Sequence, residues 1–296
     1  MKRILVTGAS GMLGATLVKL LKNDFIVYAT GNSNFKNQYY NYMKFDLSSE
    51  DYHELFEWSK PDIIVHCAAL TNGNFCEENP DKAFLINSES VSKLVKFSKN
   101  NVKIIYISSD AVFPSGSSFV NENCITGADS IYGKSKEAGE KKLIESEKNY
   151  NIIRTTIVGL NINSNKTGFI EWMLNSSSKN INIKLFDDVI FTPISIWDFS
   201  YEINYIIKSN LTKGIYHISG KDKLTKFEFG MKLLSSLGYN TKNISAGKIT
   251  NFPFRAKRKK DQSLDCSYYM NITKRNLPNI DETINSIKLN YYEQTN

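Results

Sequence analysis

The stretch Arg3–Gly14, RILVTGASGMLG, decides the fold of this chain. Its first five residues form an apolar run typical of a buried β-strand, and an apolar-periodic helix follows the glycines as far as about Lys22. Glycines in the spacing G-x-x-G-x-x-G permit a tight turn and a close approach of the backbone to a pyrophosphate, while free N–H groups at the helix start favour an anion. An ordinary strand–turn–helix is the alternative, but the context is the one that a dinucleotide-binding loop requires. We therefore predict that Gly8, Gly11 and Gly14 bind a dinucleotide.

Strand-like and helix-like stretches alternate outward from this loop as far as residue 156. The predicted strands are Phe25–Ala29, Asp62–His66, Val102–Ile107 and Asn151–Thr156, and the predicted helices span about Pro80–Lys99 and Ser130–Glu147. Such alternation is typical of parallel βαβ units. It predicts an α/β fold built on a Rossmann doubly wound parallel sheet.

After residue 156 this rhythm loosens. A short predicted strand at Ile183–Phe186 and predicted helices at Trp197–Ser209 and Lys226–Leu237 stand among segments rich in asparagine, serine and lysine. We interpret residues 1–156 as an NAD(P)-binding Rossmann domain. Residues 157–296 are predicted to form mainly a smaller mixed α/β substrate-binding lobe, with some segments returning to the Rossmann sheet.

The composition indicates a soluble, cytoplasmic protein. The 296 residues are 41% hydrophobic and 12% aromatic, which suffices for a packed core. The net charge is +7, but no lysine- and arginine-rich stripe with stacking aromatics is present, so nucleic acid is not an expected partner. No apolar run reaches membrane-spanning length, and the first residues lack the apolar core of a signal peptide. The four cysteines and three histidines match no metal-ligand spacing, so no metal site is expected.

A second motif, YGKSK, contains Tyr132 and Lys136 four residues apart, on one face of a predicted helix. A phenol with a pKa of ~10 is a weak acid at neutral pH, and a neighbouring ammonium lowers that pKa toward the working range. Ser109 and Asp110 follow a predicted strand, at the sheet edge where a serine hydroxyl can hydrogen-bond a carbonyl oxygen of a ligand. The alternatives are a surface helix with a chance tyrosine and lysine, and a simple Ser-Asp helix cap.

The end of the second predicted strand indicates which cofactor fits. An acidic residue there would bond the ribose hydroxyls of NAD, but the chain reads YATGNS over Tyr28–Ser33. Small polar residues such as Asn32, with Lys36 nearby, tolerate a 2′-phosphate. NADPH is therefore favoured, and NADH stays open.

Further stretches of sequence match one known family. They are FDL (Phe45–Leu47), KPDIIVHCAALTN (Lys60–Asn72), CEENP (Cys76–Pro80), LIN (Leu85–Asn87), SSDAVFPSG (Ser108–Gly116), YGKSKEAGE (Tyr132–Glu140) and LDCS (Leu264–Ser267). Together with the glycine loop, they resemble the extended short-chain dehydrogenase/reductases, and among these the dTDP-4-dehydrorhamnose reductase group of sugar-nucleotide reductases. The resemblance covers nearly the whole chain and is densest over residues 1–160.

The resemblance implies that Ser109, Tyr132 and Lys136 are catalytic. Tyr132 would protonate a carbonyl oxygen as hydride arrives from the nicotinamide, Lys136 would hold the nicotinamide ribose and lower the tyrosine pKa, and Ser109 would orient the carbonyl. Besides Tyr132 and Lys136, the expected cofactor-binding residues are Gly8, Ser10, Gly11, Met12, Leu13, Gly14, Asn32, Asp46, Leu47, Ala68, Ala69, Leu70 and Asn87. The expected substrate-binding residues are Thr71, Asp110, Ile157 and Arg255.

The implied activity is the NAD(P)H-dependent reduction of a nucleotide-linked 4-keto-6-deoxysugar. A homodimer is consistent with the resemblance. The departures from the resemblance lie on the substrate side. Ile157 stands where these reductases carry an aromatic residue, and Ala111 stands where a tyrosine is usual. The basic run Arg255–Lys260 is either a loop near the nucleotide diphosphate or a solvated loop. The identity of the sugar is therefore left open.

Two other functions stay open. A sugar-nucleotide epimerase or dehydratase with tightly held NAD would share the fold, although a dehydratase usually adds acidic and basic residues beside the tyrosine, and Asp110 is the adjacent acid here. A non-catalytic regulatory subunit is the other reading. The chain resembles the regulatory subunit of methionine adenosyltransferase in its ISSD, YGK and LDCS segments, and that subunit likewise lacks the aromatic residue that stacks on the sugar.

Overall fold

Strands and helices alternate through the first part of the chain. The structure is a computed structural model and describes residues 1–33, 41–162, 166–252 and 256–295. The strands of this part are β1 Arg3–Thr7, β2 Ile26–Gly31, β3 Asn41–Lys44, β4 Ile63–His66, β5 Lys103–Ile107 and β6 Asn149–Arg154. The predicted strands are confirmed within two residues at their ends, and β3 is an addition to the prediction.

The helices of the first part connect these strands. They are α1 Met12–Leu21, α2 His53–Ser59, α3 Gly73–Glu78, α4 Pro80–Phe84, α5 Ser90–Phe97 and α6 Ile131–Ile144. The predicted helix from Pro80 to Lys99 is interrupted, because a π-helical turn at Leu85–Glu89 joins α4 to α5. Ser130 caps α6 by accepting a hydrogen bond of 3.1 Å from the backbone N–H of Gly133.

Short strands and five further helices make up the described remainder of the chain. The strands are β7 Ile157–Val158, β8 Ile183–Phe186, β9 Ile190–Phe191, β10 Ile194–Ser195, β11 Gly214–His217, β12 Leu224–Thr225, β13 Ile244–Gly247 and β14 Asp261–Gln262. The helices are α7 Phe169–Ser178, α8 Ile196–Lys208, α9 Lys226–Ser236, α10 Ser267–Thr273 and α11 Ile280–Thr295. Three small sheets pair β7 with β10, β8 with β13, and β9 with β12 and β14.

Seven strands form one parallel sheet in the order β11-β6-β5-β4-β1-β2-β3. The chain winds outward from β1 in one direction to β3, then returns through β4 and continues in the other direction. This reversal leaves a crevice beyond the carboxyl ends of β1 and β4, where open α/β sheets bind ligands. The predicted Rossmann doubly wound α/β fold is confirmed. Strand β11 comes from the second half of the chain and completes the sheet.

Helices cover both faces of this sheet. On one face α1 and α8 bury Leu17 and Phe199, and on the other face α5 and α6 bury Leu94 and Leu143. A separate cluster around Phe229 forms the core of the smaller lobe. Each such side chain stabilises the fold by ~1.5–3 kcal/mol on burial. Within the described ranges, no helix has the length and apolar character needed to cross a membrane.

Candidate active site

The glycine turn after β1 is packed too tightly for side chains. Gly8 has a φ of +69°, and a Cβ atom there would lie 2.7 Å from the backbone of Ala68. A Cβ atom at Gly14 would lie 2.3 Å from the carbonyl oxygen of Gly8. The carbonyl of Gly8 also accepts a hydrogen bond of 2.9 Å from the N–H of Gly11. These contacts seat the N-terminus of α1 at the crevice between β1 and β4.

A cavity of about 490 Å³ opens beyond this turn. Nine of the residues predicted to bind the cofactor line it: Gly8, Ser10, Gly11, Asn32, Asp46, Leu47, Ala68, Ala69 and Leu70. They come from the ends of β1, β2 and β4 and from the segment after β3, so the doubly wound topology brings them together. We call this space the first cavity.

The end of β2 carries no acid into the first cavity. Thr30, Gly31 and Asn32 line the wall there, and Lys36 lies outside the described residues. The carboxylate of Asp46 is engaged in its own turn, because Oδ1 accepts a hydrogen bond of 2.9 Å from the N–H of Ser48. That hydrogen bond, helped by the charges of nearby lysines, lowers the pKa of Asp46.

Asn87 was predicted to bind the cofactor. It is fully buried, and it lines neither the first cavity nor the second cavity described below. Its carboxamide oxygen accepts a hydrogen bond of 2.8 Å from the N–H of Leu70, and its Nδ2 donates to the carbonyl oxygen of Leu70 at 3.0 Å. Nδ2 also donates to Ser135 Oγ at 2.9 Å. Asn87 therefore supports the cavity wall from the π-helical turn and fixes the backbone of Leu70.

A second cavity of about 660 Å³ continues from the first. The two share Gly8, Gly11, Cys67, Ala69 and Lys166 in their walls. The second cavity contains the predicted catalytic residues and most of the remaining predicted ones: Met12, Leu13, Gly14, Thr71, Ser109, Asp110, Tyr132, Lys136 and Ile157. Arg255 lies outside the described residues. We call this space the reaction cavity.

Lys136 is 1% exposed, and its ammonium donates a hydrogen bond of 2.7 Å to the carbonyl oxygen of Ile107. The ammonium also lies 3.9 Å from the ring centroid of Tyr106. Burial lowers the pKa of Lys136 to about 7, against the opposing effect of the Glu140 carboxylate. The lysine is thus anchored to the end of β5.

The expected lowering of the Tyr132 pKa by Lys136 is wrong for this structure. Burial raises the pKa of Tyr132 to about 12, against a hydrogen bond with Ser109 and with a further increase from the nearby charge of Asp110. Desolvation of the phenolate outweighs the hydrogen bond, so the phenol keeps its proton at neutral pH. A protonated tyrosine is a donor.

Ser109 both caps a turn and faces the reaction cavity, which are the two positions that the sequence left open. Its hydroxyl oxygen accepts a hydrogen bond of 3.2 Å from the N–H of Ala111 and so caps a 3₁₀ turn, Asp110–Val112. The same hydroxyl donates to Asp110 Oδ1 at 2.9 Å and faces the reaction cavity. Burial raises the pKa of Asp110, and the charge of Lys259 opposes that rise.

A buried ion pair beneath the reaction cavity was not foreseen. Arg154 donates to Glu140 through Nε at 3.0 Å and through Nη2 at 2.6 Å, and both side chains are 3% exposed. Glu140 also accepts a hydrogen bond of 2.5 Å from the hydroxyl of Ser108. The pair ties α6, which carries Tyr132, to the ends of β5 and β6. Arg154 at the end of the otherwise uncharged strand β6 was the available signal, whereas Glu140 lies in a helix rich in charged residues.

Three polar residues from the second half of the chain reach the site without a sequence signal. Lys166 donates a hydrogen bond of 2.9 Å to the carbonyl oxygen of Ser10, on the glycine turn. Lys226 and Gln262 line the reaction cavity together with the predicted catalytic residues. The chain is rich in lysine, so nothing in the local sequence distinguishes these positions.

His66 is a core residue, as predicted. It is fully buried, pairs with the hydroxyl of Thr7 at 2.7 Å, and contacts the hydroxyl of Ser90 at 3.3 Å. Burial lowers the pKa of His66 to about 3, so the ring is neutral. In the part of the chain that the structure describes, no three histidine, cysteine or acidic side chains are grouped so that they could hold a metal ion.

Known proteins resemble this chain along nearly its whole length. The family profile described as RmlD substrate binding domain matches residues 1–292. The chain is 27% identical over 276 residues to methionine adenosyltransferase 2 subunit beta of Mus musculus, covering 90% of this chain and 81% of that relative. It is 27% identical over 293 residues to dTDP-4-dehydrorhamnose reductase of Sinorhizobium fredii, covering 95% of each.

The fold also matches solved structures. A crystal structure of dTDP-4-dehydrorhamnose reductase from Bacillus anthracis in complex with NADP has a TM-score of 0.83 and 25% sequence identity, covering 98% of this chain and 100% of that chain. The resemblance inferred from the motifs is thus confirmed in sequence and in fold. The chain belongs to the RmlD substrate-binding-domain family.

Proposed function

We propose that this protein is an NADPH-dependent oxidoreductase that reduces a nucleotide-linked 4-keto-6-deoxysugar. One observation carries the proposal. The first cavity, shaped by the glycine turn, runs directly into the reaction cavity that contains Ser109, Tyr132 and Lys136. A dinucleotide bound along this cleft has its nicotinamide end beside a proton donor, which is the arrangement that carbonyl reduction requires. The dTDP-4-dehydrorhamnose reductases among the relatives support the same reading.

Three side chains of the protein have different roles at the carbonyl group of the substrate. Bound NADPH supplies the hydride for the carbonyl carbon. Tyr132 delivers the proton to the carbonyl oxygen, because its phenol is protonated at neutral pH and lies in the reaction cavity. Ser109 orients the carbonyl oxygen by a hydrogen bond once its hydroxyl proton turns from Asp110 Oδ1 to the substrate. Lys136, held by the carbonyl of Ile107, binds the nicotinamide ribose, and a nearby anionic dinucleotide favours its charged form.

The first half of the chain supplies the cofactor site in this proposal. Residues 1–156 form the NADPH-binding domain, and residues 157–296 contribute most of the substrate lobe and the last sheet strand. NADPH is favoured over NADH because the wall at Thr30–Asn32 offers no acid that would repel a 2′-phosphate. The NADP bound to the Bacillus anthracis relative agrees with this preference.

The glycine turn gives a direct test of cofactor binding. Replacing Gly8 with alanine is expected to weaken NADPH binding at least about tenfold, because the new Cβ meets the backbone of Ala68 at 2.7 Å and strains a positive φ. Gly127→Ala is the matched control, since a Cβ there has no atom within 4 Å. Fluorescence titration with NADPH measures both variants. Equal affinity in wild type and Gly8→Ala contradicts this assignment of the turn.

The activity is tested by following NADPH oxidation with a panel of dTDP-, UDP-, GDP- and CDP-linked 4-keto-6-deoxysugars. At least one member should be reduced, with a higher kcat/KM for NADPH than for NADH. The configuration of the C4 alcohol formed in the product, determined by NMR, gives the stereochemistry of the reduction. A purified protein that binds NADPH but oxidises it with no member of the panel contradicts the proposal.

A second candidate function is a non-catalytic subunit that binds NADPH without turning it over. The observation in its favour is the 27% identity to methionine adenosyltransferase 2 subunit beta over 90% of this chain. The same panel separates the two functions, because a binding subunit leaves NADPH unoxidised. An epimerase or dehydratase would instead be isolated with NAD bound, which acid extraction of the purified protein detects.

A further inference from the structure

A third cavity, of about 860 Å³, adjoins the reaction cavity inside the smaller lobe. Its walls are rich in aromatic and aliphatic side chains, including Phe169, Trp172, Leu185, Phe186, Ile249 and Phe252. We call it the apolar cavity. It shares Lys226 and Gln262 with the reaction cavity. A ligand that occupies both spaces therefore passes these two residues.

Lys226 is held in place at this junction by its neighbours. It is the first residue of α9, and its backbone N–H donates a hydrogen bond of 2.9 Å to the carbonyl oxygen of Val189. Its ammonium lies 3.8 Å from the ring centroid of Phe191 and 5.2 Å from that of Phe169. Aromatic rings attract a cation and leave its N–H donors unused.

The ammonium of Lys226 has neither a hydrogen bond nor an ion pair among the residues that the structure describes. Asp110, across the reaction cavity, is close enough to favour its charge, and Arg258 is close enough to oppose it. Partial burial nevertheless lowers the pKa of Lys226 to about 8, because the ammonium has lost part of its hydration. An anion at this point would replace the missing hydration with charge-assisted hydrogen bonds.

We propose that Lys226 binds the diphosphate of the substrate, with the sugar in the reaction cavity and the nucleoside in the apolar cavity. This inference rests on the proposed function. A nucleotide-linked sugar carries its negative charge on the diphosphate, between the uncharged sugar and the uncharged nucleoside. With the sugar in the reaction cavity and the nucleoside in the apolar cavity, the diphosphate lies at the junction of the two cavities. Ile157 and Lys226 both line the reaction cavity, which holds the sugar in this arrangement.

The test is calorimetric titration of wild type and Lys226→Met with dTDP, UDP and the parent nucleosides thymidine and uridine. The variant is expected to bind the better nucleoside diphosphate at least about tenfold more weakly, because a hydrogen bond to a charged group is lost. Its affinity for the nucleoside and for NADPH should stay within about twofold. Lys226→Arg, which keeps the charge, should recover part of the lost affinity.

Lys232→Met is the matched control, since Lys232 lies on the same helix and forms an exposed pair with Asp281 at 3.3 Å. Equal diphosphate affinity in wild type and Lys226→Met overturns this inference and leaves the proposed function intact. If wild type binds neither dTDP nor UDP, this inference fails, while the reductase panel with GDP- and CDP-linked sugars still tests the proposed function.

Discussion

Replacing Tyr132 with phenylalanine is expected to lower kcat by ~10²–10⁴-fold, the usual contribution of a positioned acid. The ring and its packing remain, while the proton for the carbonyl oxygen is removed. NADPH affinity should stay within about twofold of wild type, because the glycine turn and the first cavity are unchanged. Stopped-flow measurement of a single turnover separates the chemical step from product release.

Tyr201→Phe is the matched control for this variant, since Tyr201 is 58% exposed on α8. It should turn over like wild type. If Tyr132→Phe keeps more than about a tenth of the wild-type kcat, water or another side chain supplies the proton. The assignment of Tyr132 would then be wrong, even with the reductase activity in place.

Replacing Arg154 with methionine is expected to destabilise the protein by about 3–5 kcal/mol. The substitution leaves the Glu140 carboxylate buried without its cation, and only the Ser108 hydroxyl still donates to it. Urea unfolding at neutral pH measures the change from the midpoint at constant slope. The loss follows from an uncompensated buried charge rather than from a lost cavity-filling group.

The double variant Glu140→Met/Arg154→Met tests that explanation. Replacing both partners removes the buried charges together, so most of the stability lost in Arg154→Met should return. If the double variant is as unstable as the single one, packing at Arg154 rather than charge compensation accounts for the loss. An Arg154→Met protein within about 1 kcal/mol of wild type would contradict the ion-pair argument altogether.

Sequence pattern was sufficient for the architecture because the main sheet is built from local signals. Each buried strand is an apolar run next to a helical pattern, and the glycine turn sets the first crossing. Strand β3 escaped prediction because NYMK lies at the sheet edge, half exposed, where no apolar run is needed. The π-helical turn at Leu85–Glu89 was equally hidden, because five residues within a longer helical pattern are too few to reveal a change of period.

Residues of the candidate site that follow the strands in the first half of the chain could be predicted from the sequence. Residues that only the tertiary fold brings to the site could not. Ser109, Tyr132 and Lys136 are read from short motifs, and the topology brings them together. Lys226 comes from a distant helix, and its place depends on how the smaller lobe folds over the sheet. The pKa of Tyr132 also depends on tertiary structure, because burial outweighs what a spacing of four residues suggests.

Strand β11 makes the order of synthesis matter for this protein. β6 is complete at Arg154, but the strand that pairs with its outer edge is Gly214–His217, which leaves the ribosome much later. Until then the fully buried Ile152 and Ile153 belong to a strand with an unpaired edge, and such edges recruit strands from other chains. A nascent chain halted between β6 and β11 is therefore expected to aggregate more readily than the full chain. A fragment cut after residue 156 would carry the same open edge permanently.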